Sequence, residues 1–321
     1  MRATLLTSAA GLLLLSPVLA GDRPVFGILV QPLQLDNPRD QLLLKYGEMY
    51  LVASYVKAIE AAGARAAPVL YNSTKDDLRA LFGRLSGLIL PGGHVGHVHT
   101  DYADAVYTLL DLAAGEAGFP VHGTCLGSQM LAQWASGDLD NSVLSKTDAE
   151  NLNLPLRPRP SWTSSWLLDG APPAALASLE YSNSTVNLHG YGVLPSKFDS
   201  GGKLDTGVLN PLATSVGNDG VEFVALYEGV PPQYAAWSAT QYHPEKNAFE
   251  WGGGYQKSST AVHSDAGIEA STWLMRKLVN ASRAVAHEWV EDDPTFPLMR
   301  QFAPVPGGGD SGFDWESCYF W

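Results

Sequence analysis

A continuous apolar run, Val25-Phe26-Gly27-Ile28-Leu29-Val30, marks a strand buried on both faces. Residues 46–62 then show helical spacing. Met49, Val52, Ala53, Val56 and Ile59 fall on neighbouring turns and Gly63 closes the stretch, so one helix is expected there. Residues 65–70 read as a second strand, and 76–85 as a short helix with Leu78, Leu81 and Phe82 on one face. A third strand at 87–91 runs into Gly92-Gly93. Residues 101–114 read as a helix, 120–122 as a strand and 129–135 as a helix. Later, 222–227 and 234–242 read as paired strands, 266–289 as a long helix and Gly307 to Gly309 as a flexible tail.

Strand and helix alternate through the first half, which predicts an α/β fold: a central, mostly parallel sheet with helices on both faces, flavodoxin-like. Residues 151–173, rich in proline and holding Trp162 and Trp166, break the alternation and read as an irregular insertion. In such sheets ligands sit beyond the carboxyl ends of the strands. Gly92-Gly93 and Cys125 both fall at such ends.

The chain has 321 residues and a formal net charge of −13. That balance argues against nucleic acid or an anionic membrane as partner. Residues 1–20 carry a short positive start, an apolar run around Leu12 to Leu15, and small residues Val18 and Ala20 before the expected cut, the pattern of a secretory signal peptide. Residues 21–321 would then form one domain. The sequons at Asn72, Asn183 and Asn280 fit a glycosylated protein of the secretory route, in a vacuole or lysosome or outside the cell. Of the two cysteines, Cys125 and Cys318, the first is useful only as a free thiolate, so no disulfide is expected.

Chemistry concentrates in Gly123-Thr124-Cys125-Leu126-Gly127, a G-x-C-x-G nucleophile elbow. The glycines permit a tight strand-to-helix turn. The turn presents a sulfur at a helix N-terminus, where the dipole and free N–H groups favour a thiolate and a developing oxyanion. A thiol nucleophile needs a base, and the base an orienter. Gln241-Tyr242-His243-Pro244-Glu245 offers both, His243 followed two residues later by Glu245.

With Leu90-Pro91-Gly92-Gly93, the elbow, the stretch from Gln241 to Trp251, the segment from Tyr55 to Pro68 and Cys318-Tyr319-Phe320 near the C-terminus, the chain resembles the class I glutamine amidotransferase-like superfamily, and within it the gamma-glutamyl hydrolases. The resemblance implies Cys125 as nucleophile, His243 as base and then acid, and Glu245 as its orienter. It also implies an oxyanion hole from the N–H groups of Gly93 and Leu126, with Tyr55, Gln129 and His189 near the substrate. The implied reaction is hydrolysis of a gamma-glutamyl amide, as in a folyl-poly-gamma-glutamate, through a thioester and without metal or organic cofactor. A homodimer stays open.

Two departures stand out. Gln129 occupies a position where the family typically has glutamate, and His94, His97 and His99 stand where it usually has arginines. The histidines suggest a patch that becomes positive as pH falls through about 6.5; a metal site or a plain solvated loop are the other readings. At the level of function, the rivals are a glutaminase subunit feeding a synthase and a non-catalytic binding protein on the same scaffold.

Overall fold

The computed structural model describes residues 23–251, 261–308 and 311–321. The expected signal peptide at 1–20, and Gly309 of the expected tail, lie outside the described residues. Five parallel strands form the centre of the main sheet, in the order β3 (Arg65–Leu70), β1 (Val25–Pro32), β4 (Gly87–Leu90), β5 (Val121–Thr124) and β11 (Trp237–Thr240). Beyond β11 the sheet continues antiparallel through β10 (Glu222–Gly229), β9 (Leu209–Val216) and the two-residue β7 (Arg157–Pro158). At its other side the end of β1 pairs antiparallel with β2 (Met49–Val52), followed by β13 (Ser317–Phe320) and β12 (Val305–Pro306).

The period of two in β1 sorts its side chains between two cores. Val25 and Leu29 join the layer of α3 (Lys75–Phe82), α4 (Asp101–Ala114) and α5 (Leu126–Ser136). Phe26, Ile28 and Val30 join that of α2 (Ala53–Ala61), α6 (Pro173–Tyr181) and α8 (Asp265–Ser282). The predicted α/β sheet with helices on both faces is therefore present, and the expected pairing of the two late strands is the antiparallel β10–β11 ladder. No helix among the described residues is long and apolar enough to cross a membrane.

Four expectations need correction. The single helix over 46–62 is a strand followed by a helix, because Tyr50, Leu51 and Val52 pair with Phe320, Tyr319 and Cys318 of β13. That partner is too far along the chain to register in a local pattern. The stretch at 151–173 is not irregular throughout. Its start belongs to β6 (Leu144–Leu154), which pairs with β8 (Thr185–Val193) as a separate two-stranded arm, and its end opens α6. The β6–β8 register shifts twice and Asn151 takes φ 56°, so no clean alternation shows in the sequence. The helix from 266 stops at Ser282, not 289. Ser282 Oγ bonds the Val279 carbonyl at 2.7 Å, and beyond it His287 Nδ1 lies 2.8 Å from the Leu85 carbonyl, across the fold. Gly307 and Gly308 are tied down rather than loose: their N–H groups donate to the carbonyls of Glu316 and Phe313.

Candidate active site

Cys125 sits between β5 and α5 with φ 49° and ψ −105°, a conformation that costs a non-glycine residue strain. Its surroundings hold it there. A Cβ on Gly123 would come 2.6 Å from the Gly127 carbonyl oxygen, and one on Gly127 would run into the Leu90 carbonyl of β4. Both glycines are thus required by the close approach of backbone to backbone. The Cys125 N–H donates to the Thr240 carbonyl at 2.8 Å, joining the elbow to the end of β11 three residues before His243. The His243 N–H donates in turn to Val186 of β8 at 2.8 Å, so the two-stranded arm braces the histidine loop.

The ring of His243 is buried beside Cys125, with Nδ1 2.7 Å from Glu245 Oε1. Burial alone would push the imidazole pKa down. The negative charge of Glu245 and that of Cys125 outweigh it and raise His243 to about 9. Burial pushes Glu245 the other way, up, but the imidazolium and then Lys246 outweigh that and leave its carboxyl below the usual value. The three side chains named from the sequence are therefore brought together, the imidazole beside the cysteine and hydrogen-bonded to the carboxylate.

Gly92 closes the site. A Cβ there would lie 2.5 Å from His243 Cε1, 3.0 Å from Tyr55 Oη and 3.1 Å from Cys125 Cβ. The Gly92 N–H donates to Tyr55 Oη at 2.8 Å, and that hydroxyl lies 3.4 Å from His243 Nδ1. Tyr55 is buried, and first burial, then the Glu245 charge, raise its phenol well above the usual range. Leu126 is the first residue of α5, so its N–H has no acceptor within the helix. Gly93 follows on the rim formed by the end of β4.

His189 is buried within contact range of two neighbours, Thr147 Oγ1 at 3.3 Å from Nδ1 and Asn187 Oδ1 at 3.2 Å from Nε2, with Phe223 edge-on to its ring. Burial, and next the charge of His243, lower its pKa to about 3, so it is neutral. Gln129, one helical turn beyond Cys125, has its amide fully engaged. Oε1 meets His97 Nε2 at 2.7 Å, while Nε2 donates to the Tyr191 carbonyl at 2.8 Å and to Gln241 Oε1 at 3.4 Å.

The two departures noted in the sequence thus touch each other. Burial lowers the pKa of His97, and His94 Nε2 lies 2.9 Å from Asp40 Oδ2. Among the described residues no three His, Cys, Asp or Glu side chains converge on a common point for a metal. Cys125 and Cys318 are both free and buried, the second with Sγ 3.3 Å from the Leu51 carbonyl.

Sequence reasoning passed over Gln31, at the carboxyl end of β1. Its Nε2 donates to the Gly92 carbonyl at 2.8 Å and its Oε1 accepts from Tyr50 Oη at 2.9 Å. A polar residue ending an apolar buried strand was the only signal for it.

Comparison with known proteins gives the site a family. The Peptidase C26 model matches residues 24–245. Gamma-glutamyl hydrolase B of Dictyostelium discoideum is 33% identical over 86% of this chain and 77% of its own length. The gamma-glutamyl hydrolase of Homo sapiens is 32% identical over 98% of this chain and 95% of its own. A solved glutaminase domain from Trypanosoma brucei aligns with 85% of this chain and 99% of its own at 14% identity and a TM-score of 0.47. The family match takes in the elbow, His243 and Glu245 alike, and the chain belongs to the Peptidase C26 family.

Proposed function

We propose that this protein is a gamma-glutamyl hydrolase that cleaves the amide bonds of poly-gamma-glutamyl compounds, with folyl or antifolate conjugates as the substrate class. The observation that carries the chemistry is the strained cysteine at a helix N-terminus, beside a buried histidine that is itself 2.7 Å from a buried carboxylate. Its relatives in the family, named gamma-glutamyl hydrolases, support the bond that is cleaved.

In this reading Cys125 Sγ attacks the gamma-carbonyl carbon. The resulting oxyanion is held by the N–H groups of Gly93 and Leu126. His243 gives its proton to the nitrogen of the leaving amine as the C–N bond breaks, leaving a thioester. The neutral imidazole then takes a proton from water as the water attacks the thioester, and the sulfur departs. Glu245 keeps His243 oriented and stabilises its charged form. The leader pattern and the sequons support the secretory route as the place of action.

Mass spectrometry of the products from a pentaglutamyl folate tests this, with and without prior alkylation and with Cys125→Ala alongside. Shortened glutamyl chains from the untreated protein alone are expected, and their lengths report endo or exo cleavage. Turnover surviving in Cys125→Ala would sink the mechanism. Ammonia from free glutamine, with the folate left intact, would mean a glutaminase instead.

A further inference from the structure

The pair Gly92-Gly93 solves one problem and creates another. A side chain at 92 would strike His243, and one at 93 would strike the Gln31 amide. Glycine is therefore needed at both positions. Yet two consecutive glycines leave the peptide between them free to rotate, since neither residue restricts φ and ψ. The Gly92 carbonyl and the Gly93 N–H belong to that one trans peptide and point in opposite directions. A half-turn of it would exchange an N–H donor for a carbonyl oxygen, which repels an oxyanion.

Gln31 acts against that rotation. Its Nε2 donates to the Gly92 carbonyl at 2.8 Å and lies 3.5 Å from that of Pro91. Its Oε1 accepts from Tyr50 Oη at 2.9 Å, which fixes which end of the amide faces the glycines. On the preceding peptide the Gly92 N–H is held by Tyr55 Oη at 2.8 Å. Gln31 and Tyr50 are buried, on paired strands. Both polar groups of Gly92 are thus pinned, and the Gly93 N–H is directed away from Gln31.

We infer that Gln31, backed by Tyr50, is a positioning residue that locks the Gly92–Gly93 peptide with the Gly93 N–H available to the oxyanion. It touches no substrate and acts only through that peptide. The inference rests on Cys125 as the nucleophile and on Gly93 as an oxyanion donor.

Two reactions of Cys125 separate this role from general support of the fold. Acylation by p-nitrophenyl acetate passes through an oxyanion; alkylation by iodoacetamide does not. With the background of Cys125→Ala subtracted, Gln31→Met should slow acylation about tenfold or more, a misdirected donor costing less than the hundredfold or greater loss of a deleted one. Alkylation should stay close to wild type. Tyr50→Phe, which frees the amide to turn but keeps the ring, should give a smaller drop in the same ratio, and it carries the measurement if Gln31→Met does not fold. An unchanged ratio in a folded variant overturns the inference, whether both rates hold or both fall together. Neither reagent contains a glutamyl group, so wild-type protein that leaves a pentaglutamyl folate intact would refute the substrate and leave the ratio standing as the test.

Discussion

Gly92 and His243 show how much of this site is decided by single atoms. The Gly92 position is filled on its Cα face by His243 Cε1, Tyr55 Oη and Cys125 Cβ. Gly92→Ala should therefore displace the imidazole and lower kcat by about a hundredfold while the protein stays folded, because a misplacement of about 1 Å at reacting groups is that costly. A rate assay beside a thermal melt checks it. His243 also sets a pH signature. Its folded pKa of about 9 lies above the usual 6.5, so its stabilising contribution is complete below 6.5 and is lost as pH rises through 9. Glu245→Gln removes the carboxylate that raises it. The alkaline limb of the kcat profile should then move down by about one unit or more, and the fall in stability from pH 6.5 to 9 should flatten. An unmoved limb would show that Glu245 does not hold the imidazolium. At this scale the sequence named Cys125, His243 and Glu245 from their motifs. It could not show that the hydroxyl of Tyr55 and the amide of Gln129 are already bonded within the protein, because those partners arrive from other elements.

The elbow is an element-scale device, a turn that works only because β4, β5 and α5 approach closely. Gly127 packs directly against the Leu90 carbonyl, which belongs to backbone and cannot yield as a side chain would. Gly127→Ala should push α5 off β4 and destabilise the protein by about 1–3 kcal/mol, the usual cost of overpacking. Denaturant unfolding checks it, and wild-type stability would show that the helix can slide. The parallel strands and α4 were legible in the sequence, because each is local and strongly patterned. The strand Met49–Val52 and the β6–β8 arm were not. The first takes its partner from Ser317–Phe320 at the far end of the chain, and the second breaks its alternation with two register shifts. Both matter to the site: β2 runs directly into the helix bearing Tyr55, and β8 holds the His243 backbone.

The whole molecule carries a net charge of −13, of the same sign as a poly-gamma-glutamyl chain. Beside the elbow, burial lowers the pKa of His97, and His94 Nε2 lies 2.9 Å from Asp40 Oδ2. The long-range field therefore opposes the encounter. Raising ionic strength from about 0.02 to about 0.2 M brings the screening length to about 10 Å or less. KM for a pentaglutamyl substrate should fall over that range with kcat unchanged. A rising KM would mean that local cations near the cleft dominate.

The sequence by itself determined the parallel centre of the fold, the elbow and the identity of the three interacting side chains. These depend on apolar period, on glycines where backbone must turn, and on residue types whose chemistry leaves few roles. Only the tertiary structure decided the orientation of the Gly92–Gly93 peptide and the pairing of His97 with Gln129. Both are set by a contact within about 3 Å between residues far apart in the chain, Gln31 with Gly92 and His97 with Gln129, and no local pattern encodes that distance.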